Sequence, residues 1–349
     1  MAELTQAERF AQAANAQQPR ARRSWSFYAV RVIGGLVGLY LLLCLGLFVF
    51  QKRLIFRPTV ETGMSAKENG FAAQQAQDIE TTAADGVTLR GWHISNIAGV
   101  HGDLSKAHAV VLFFGGNRGN RSYRDAKFRR LASFGADVVC FDYRGYGDSD
   151  GSPSEEGLAL DARAAWNYLR KLDVKPESIV LHGESMGGAV AIRLASELSA
   201  EHTPPAGLVV EGTFTRLTDV ARNFYPFVPV TLIVNQNFRS IDLIGSLACP
   251  LLMFHGKCDM TVPIGLGRQL FDAAPEKARE IPKQFVELKD CAHADIGIQD
   301  ATEYDDTLRA FLQLVCSLKN GIHKERRPLP EKRHLKLRPA IIPPAKPAN

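Results

Sequence analysis

The chain of 349 residues has little of what metal and redox chemistry require. Its six cysteines include no C-x-x-C pair and no histidine at ligand spacing. Its nine histidines include no H-E-x-x-H, so neither a metal nor an organic cofactor is expected. Six cysteines in so long a chain also exclude a disulfide-stapled miniprotein. No internal repeat is visible, which sets aside solenoids and propellers. A basic stripe interleaved with aromatics is missing as well, and the positive charge is confined to the ends. Residues 1–31 carry a net +3 and residues 321–349 a net +6, so the 289 residues between them sum to −4 against +5 overall. That distribution leaves a nucleic-acid partner without support. What is present is apolar: hydrophobic residues make up 46% and charged ones 23%, enough for a full-sized core.

Residues 32–50, VIGGLVGLYLLLCLGLFVF, form an uncharged run of 19, closed by Arg31 before it and by Lys52-Arg53 after it. As a helix it would extend roughly 28 Å, about one hydrocarbon thickness. A signal-peptide core is shorter and gives way to small residues, whereas QKRLIF follows here. A core helix would show a polar face. The run is read as a single-pass membrane anchor in contact with membrane lipid. Arg20, Arg22, Arg23 and Arg31 on one side balance Lys52, Arg53, Arg57 and Lys67 on the other. Arg9 and the short basic arm, residues 1–31, tip the expectation towards a non-cytoplasmic large domain. Residues 51–77 are taken as a linker, and the basic, Pro-rich residues 319–349 as a solvated, disordered tail.

Beyond the anchor, short apolar runs alternate with amphipathic ones. Residues 78–94 read as two extended runs joined at Asp85-Gly86, a hairpin signal. Strand-like runs follow at 109–114, 137–143, 178–183, 207–212, 250–256 and 283–288. Helix-like runs lie at 124–134, 155–172 and 186–198, with two more beginning near Pro263 and Glu303. The pattern predicts one α/β domain over residues 78–318, with a mostly parallel eight-stranded sheet covered by helices. Cys44, in the anchor, and Cys140, in DVVCFDY, read as small buried hydrophobes.

Within that domain Gly183-Glu184-Ser185-Met186-Gly187 is a G-x-S-x-G run with a strand before it and a helix after it. A nucleophilic serine needs such a tight strand-to-helix turn, which presents its hydroxyl and aims the following N–H groups at a developing oxyanion. Its base and acid come later in the chain, in the order Ser, acid, His. His293, just past the last strand, is the expected base, ahead of His255 at a strand end. Asp259, in the loop after residues 250–256, is the expected acid, with Glu211 as its rival. Asp290 and Asp295 are read as exposed loop charges.

Six segments stand in the order of a known family: residues 113–120 (FFGGNRGN), 141–166, 181–188 (LHGESMGG), 211–215 (EGTFT), 255–263 (HGKCDMTVP) and 291–295 (CAHAD). The chain resembles the membrane-anchored serine hydrolases of the α/β-hydrolase fold, among the alpha/beta hydrolase domain-containing proteins. Relatives often carry His-Gly-Asn where this chain has Gly115-Gly116-Asn117, so no imidazole is present to stiffen that loop. The resemblance still implies an oxyanion hole formed by the amides of Asn117 and Met186. It also implies cleavage of an ester, thioester or lipid acyl bond through an acyl-enzyme. A serine peptidase of the same fold and a non-catalytic scaffold remain alternatives. Residues 213–247, rich in Phe, Val, Leu and Ile, are expected to form a short lid suited to an acyl chain. Cys258 and Cys291 fall on loops that adjoin in this fold. Two free thiols are expected there, with a disulfide as the alternative in an oxidising compartment.

Overall fold

Short runs such as VVLFF, IVLHGE and GLVVE are buried along almost their whole length, and residues with that pattern need cover on both faces. The computed structural model describes residues 5–16, 25–96 and 104–317. The expected tail at 319–349 lies outside them. Eight strands form one sheet: β1 (Ala76–Thr82), β2 (Thr88–Ile94), β3 (Val110–Phe114), β4 (Asp137–Phe141), β5 (Ile179–Glu184), β6 (Gly207–Glu211), β7 (Leu251–Gly256) and β8 (Gln284–Leu288). Their spatial order is β8-β7-β6-β5-β3-β4-β2-β1. From β8 to β4 every pair is parallel, and only the β1–β2 and β2–β4 pairs run antiparallel.

Side chains alternate across this sheet into two cores. Val110, Leu112 and Phe114 of β3 face one core, packed with α4 (Glu155–Lys171) and α5 (Met186–Ala200). Val111 and Phe113 face the other, packed with α3 (Asp125–Ser133) and α10 (Ala301–Ser317). Ser154 caps α4 by accepting from the Gly157 N–H at 3.1 Å. Between β6 and β7 lie three short helices, α6 (Leu217–Phe224), α7 (Val230–Ile233) and α8 (Ser240–Leu243), and α9 (Ile264–Ala273) follows β7.

The N-terminal part holds α1 (Gln6–Ala16) and the 31-residue α2 (Trp25–Ile55). By length and composition α2 is long and apolar enough to cross a membrane. It runs past the apolar segment 32–50 at both ends, because nothing in the flanking residues breaks a helix. The segment set aside as a linker is packed rather than free: Phe56, Met64, Ala66 and Phe71 are all buried. Phe56 meets the Phe238 ring edge-on at 6.2 Å, and Arg57-Pro58 pairs in parallel with Arg118-Gly119. Close to the domain, α2 also meets the α6–α8 segment. Tyr40 donates to the Phe227 carbonyl at 2.8 Å. The buried Gln51 donates to the Ile233 carbonyl at 3.1 Å and accepts from the Asn235 N–H at 2.9 Å.

The charged residues of the segment 141–149 serve the framework. Arg121 is buried between Asp142 (2.5 Å) and Asp148 (2.7 Å) and lies over the Trp92 ring. Arg144 holds Asp85 at 2.6 Å and Asp161 at 2.8 Å. Removing one member of a buried ion group strands the other charge, at a cost of about 3–5 kcal/mol. Arg121→Ala is therefore expected to lower the melting temperature of the purified full-length protein by about 6–12 °C. A thermal scan with unchanged melting would contradict this account of the cluster.

Candidate active site

Ser185 stands where β5 meets α5, in a conformation (φ 53°, ψ −114°) that residues with a side chain rarely adopt. Such a position costs about 1–3 kcal/mol and is held by its surroundings. The Ser185 N–H donates to the Glu211 carbonyl at 2.8 Å, and the Thr213 hydroxyl donates to the Ser185 carbonyl at 2.9 Å. A Cβ on Gly183 would come within 2.3 Å of the Gly187 oxygen, and one on Gly187 within 2.1 Å of the Phe114 oxygen. No larger residue fits at either place.

The structure brings Ser185, His293 and Asp259 together from the carboxyl ends of β5, β8 and β7. His293 Nε2 lies 3.0 Å from Ser185 Oγ, and His293 Nδ1 lies 2.7 Å from Asp259 Oδ2. The other Asp259 oxygen accepts from the N–H groups of Thr261 (2.9 Å) and Val262 (2.7 Å), so the buried carboxylate is fixed in rotation. Since a carboxylate only accepts, Nδ1 carries the proton and Nε2 presents a lone pair to Ser185.

The two rivals lie beside the site but are bonded otherwise, His255 Nε2 standing 3.5 Å from Asp259 Oδ2. His255 is fully buried, bonded through Nε2 to the Val262 carbonyl at 2.8 Å. Burial holds its imidazole below the ordinary value. Glu211 bonds His182 (2.6 Å), Lys127 (2.6 Å) and Tyr304 (2.5 Å) beneath the site. Burial works against its charge, yet Lys127 and His182 hold its carboxyl well below the usual carboxylate range. Asp295 is half-buried rather than exposed, since its carboxylate accepts from the Ala292 N–H at 3.3 Å within its own turn. Cys258 and Cys291 are both free, although the Cys258 N–H donates to the Cys291 carbonyl at 3.1 Å. Burial pushes the Cys291 thiol up to about 12, so it stays protonated.

Asn117 and Met186 both border the cavity that Ser185 faces. Among the described residues neither backbone N–H has a protein acceptor. The loop that lacks an imidazole is stiffened otherwise. Tyr143 donates to the Gly115 carbonyl at 3.1 Å, and Tyr146 to the Asn117 carbonyl at 3.0 Å. The Asn117 carboxamide donates to the Ile55 carbonyl at 2.9 Å, and the Arg57 N–H donates to the Asn117 carbonyl at 2.9 Å. The end of α2 thus grips this loop, a contact across 62 positions that no local pattern announces.

Ser185 and His293 open onto a cavity of about 720 Å³. Val220, Phe224 and Ile233 line it from the segment between β6 and β7, and Leu47, Leu54 and Ile55 from α2. The contribution of α2 to the wall is absent from the sequence reading. A helix that is apolar all round carries no signal of which face will pack.

A family described as serine aminopeptidase, S33, matches residues 105–240. An uncharacterized protein of Mycobacterium tuberculosis (strain ATCC 25618 / H37Rv) is 36% identical over 263 residues, 75% of this chain and 87% of that protein. Lysophosphatidylserine lipase ABHD12 of Macaca fascicularis is 33% identical over 231 residues, 60% of this chain and 57% of that protein. The chain therefore spans little more than half the length of that lipase. Among solved structures, an esterase of Pyrococcus furiosus aligns with a TM-score of 0.57 at 21% identity, covering 74% of this chain and 98% of that one. An alpha-beta hydrolase from Vibrio vulnificus aligns with 0.56 at 22%, covering 70% and 83%. These structures share the fold. The chain belongs to the α/β-hydrolase-fold hydrolases of the alpha/beta hydrolase domain-containing type.

Proposed function

We propose that this protein is a membrane-anchored serine hydrolase that cleaves the acyl ester of a lipid, with Ser185 as nucleophile, His293 as base and Asp259 as orienting acid. One observation carries the reading: the hydrogen-bonded chain Asp259–His293–Ser185 ends in an apolar cavity, one wall of which is the anchor helix. Ser185 Oγ attacks the ester carbonyl while His293 Nε2 takes its proton, and the carbonyl oxygen becomes an oxyanion facing the Asn117 and Met186 amides. Collapse of this intermediate breaks the ester bond, and His293 returns the proton to the leaving alkoxide. Water, deprotonated by the same imidazole, then releases the fatty acid and restores Ser185. Asp259 keeps Nδ1 protonated and steadies the imidazolium in both halves.

The lipid assignment draws on the cavity and on α2. Residues 224–234, FYPFVPVTLIV, form a second uncharged run, too short to span a bilayer. Phe227 is 88% exposed and Leu232 83%, an apolar surface that water does not favour. Phe227 meets α2 at Tyr40, ten residues before the end of the apolar run and so about 15 Å below that end along the axis. With 32–50 as the membrane span, the lid tip lies at bilayer depth and the cavity fills laterally. The name of the relative lysophosphatidylserine lipase agrees with such a substrate. An aminopeptidase, the class in the matched family's description, must hold a cationic α-amino group, and among the described residues no acidic one lines this cavity.

A fluorophosphonate probe is expected to label the full-length protein in membranes, and Ser185→Ala to abolish labelling. Asp259→Asn, with the wrong tautomer favoured at His293, should lower kcat/KM for a p-nitrophenyl ester on the order of 10⁴-fold. A folded wild-type protein that takes no label would favour the scaffold alternative. Glu211→Gln is expected to behave differently from the triad variants. It should destabilise the protein by about 3–5 kcal/mol, because Lys127 loses its buried partner, yet keep Ser185 labelling below its melting point. For the lid, Phe227→Asp with Leu232→Asp should slow hydrolysis of a long-chain ester in vesicles at least tenfold and leave a water-soluble short ester within twofold. Equal loss on both substrates would separate the lid from the membrane.

A further inference from the structure

The cavity has a charged rim that the chemistry at Ser185 leaves unused. Arg57 and Arg118 both line it, and among the described residues no acidic one does. The two arginines are register partners in the short parallel ladder that joins the end of α2 to the Asn117 loop. Neighbouring strands lie about 4.8 Å apart, so the backbone holds the two cations side by side. Both residues are exposed, and among the described residues neither guanidinium has a carboxylate partner. Arg57 Nε donates only to the Leu54 carbonyl, at 3.3 Å. Arg90, Arg121, Arg144 and Arg193 each hold at least one carboxylate, whereas Arg170 and Arg279, like Arg57, donate to backbone carbonyls. Like charges opposite one another in a ladder work against folding. An anion shared between them removes that repulsion and accepts from both forks, the geometry in which arginine binds phosphate oxygens best.

The location limits which anion fits. Arg118 follows Asn117 directly, and the Arg57 N–H donates to the Asn117 carbonyl at 2.9 Å. An anion on this pair therefore sits beside the position proposed for the scissile carbonyl. Arg57 also lies seven residues past the apolar run of α2, at the level of the headgroups if 32–50 spans the bilayer. The cavity that the pair borders, of about 720 Å³, has room for a chain, whereas pockets of about 20 Å³ elsewhere in the domain do not. We propose that Arg57 and Arg118 form a phosphate subsite for the headgroup of a single-chain phospholipid, whose acyl chain occupies the cavity between α2 and the lid. This rests on the lipid-hydrolase reading above and adds the headgroup class to it.

Oleoyl-lysophosphatidic acid and monooleoylglycerol differ only in the phosphate, which makes them the probes. Binding is measured on full-length Ser185→Ala in a neutral detergent, so the result does not depend on turnover. The phosphate-bearing lipid is expected to bind at least tenfold more tightly than monooleoylglycerol. Adding Arg57→Gln and Arg118→Gln together should weaken it by about 10- to 100-fold, collapsing the preference. Arg57→Lys with Arg118→Lys should keep most of the preference, because the charge remains. Equal affinity for the two lipids overturns the proposal, as does an equal loss of both in the double Gln variant. Inorganic phosphate binding as tightly as the lipid would assign the pair to a free anion instead. Fluorophosphonate labelling of the wild-type protein runs in parallel. Its absence would sink the serine-hydrolase reading while leaving the binding comparison to judge the arginine pair.

Discussion

The close approach of Gly187 to the Phe114 carbonyl is the constraint on which the site depends. No Cβ fits between them, so the first turn of α5 is pressed against the end of β3. That contact sets Ser185 proud of the sheet and brings the Met186 amide near the Asn117 loop. It also forces the positive φ at Ser185, and the hydrogen bonds from Thr213 and to Glu211 hold the residue there. The remaining partners need only emerge from strands already parallel to β5. His293 and Asp259 do so at the ends of β8 and β7, where an open parallel sheet gathers its loops.

Much of this was legible in the chain. Runs such as VVLFF and LLMFHG can only be strands covered twice, and each of the eight strands lies within two residues of its sequence-based bounds. The G-x-S-x-G turn, the histidine after the last strand and the acid after the strand before it were equally plain. Their spacing follows from chain order around a sheet, which alternating patterns reveal. Glu211 was a fair rival, because it too ends a strand beside the site. Only the three-dimensional arrangement shows it bonded to His182, Lys127 and Tyr304.

The contacts that escaped sequence reading are long-range and not periodic. Gln51 meets Ile233 across 182 positions, and Tyr40 meets Phe227 across 187. An apolar helix with no polar face offers no hint of such a seat. The stretch after it, QKRLIFRP, looks like the polar edge of a membrane span, although Phe56 enters the core and Arg57 enters a ladder. The segment 141–149 misleads in the opposite way. It looks chemical, being dense in Asp and Arg, but its charges are spent on Arg121, Arg144 and the packing around them.

With α2 as the proposed membrane anchor, the grip of the Asn117 carboxamide on the Ile55 carbonyl makes that helix more than a tether. A catalytic domain cut free of α2 would lose a cavity wall together with a support of the loop beside Ser185. Its behaviour in free solution would then describe a different catalyst. The concentration that governs occupancy also changes in kind. If α2 spans the bilayer as proposed, substrate for a cavity walled by it is counted as a mole fraction of the surrounding lipid. Diluting the bilayer with inert lipid would slow such an enzyme, while diluting the suspension with buffer would not.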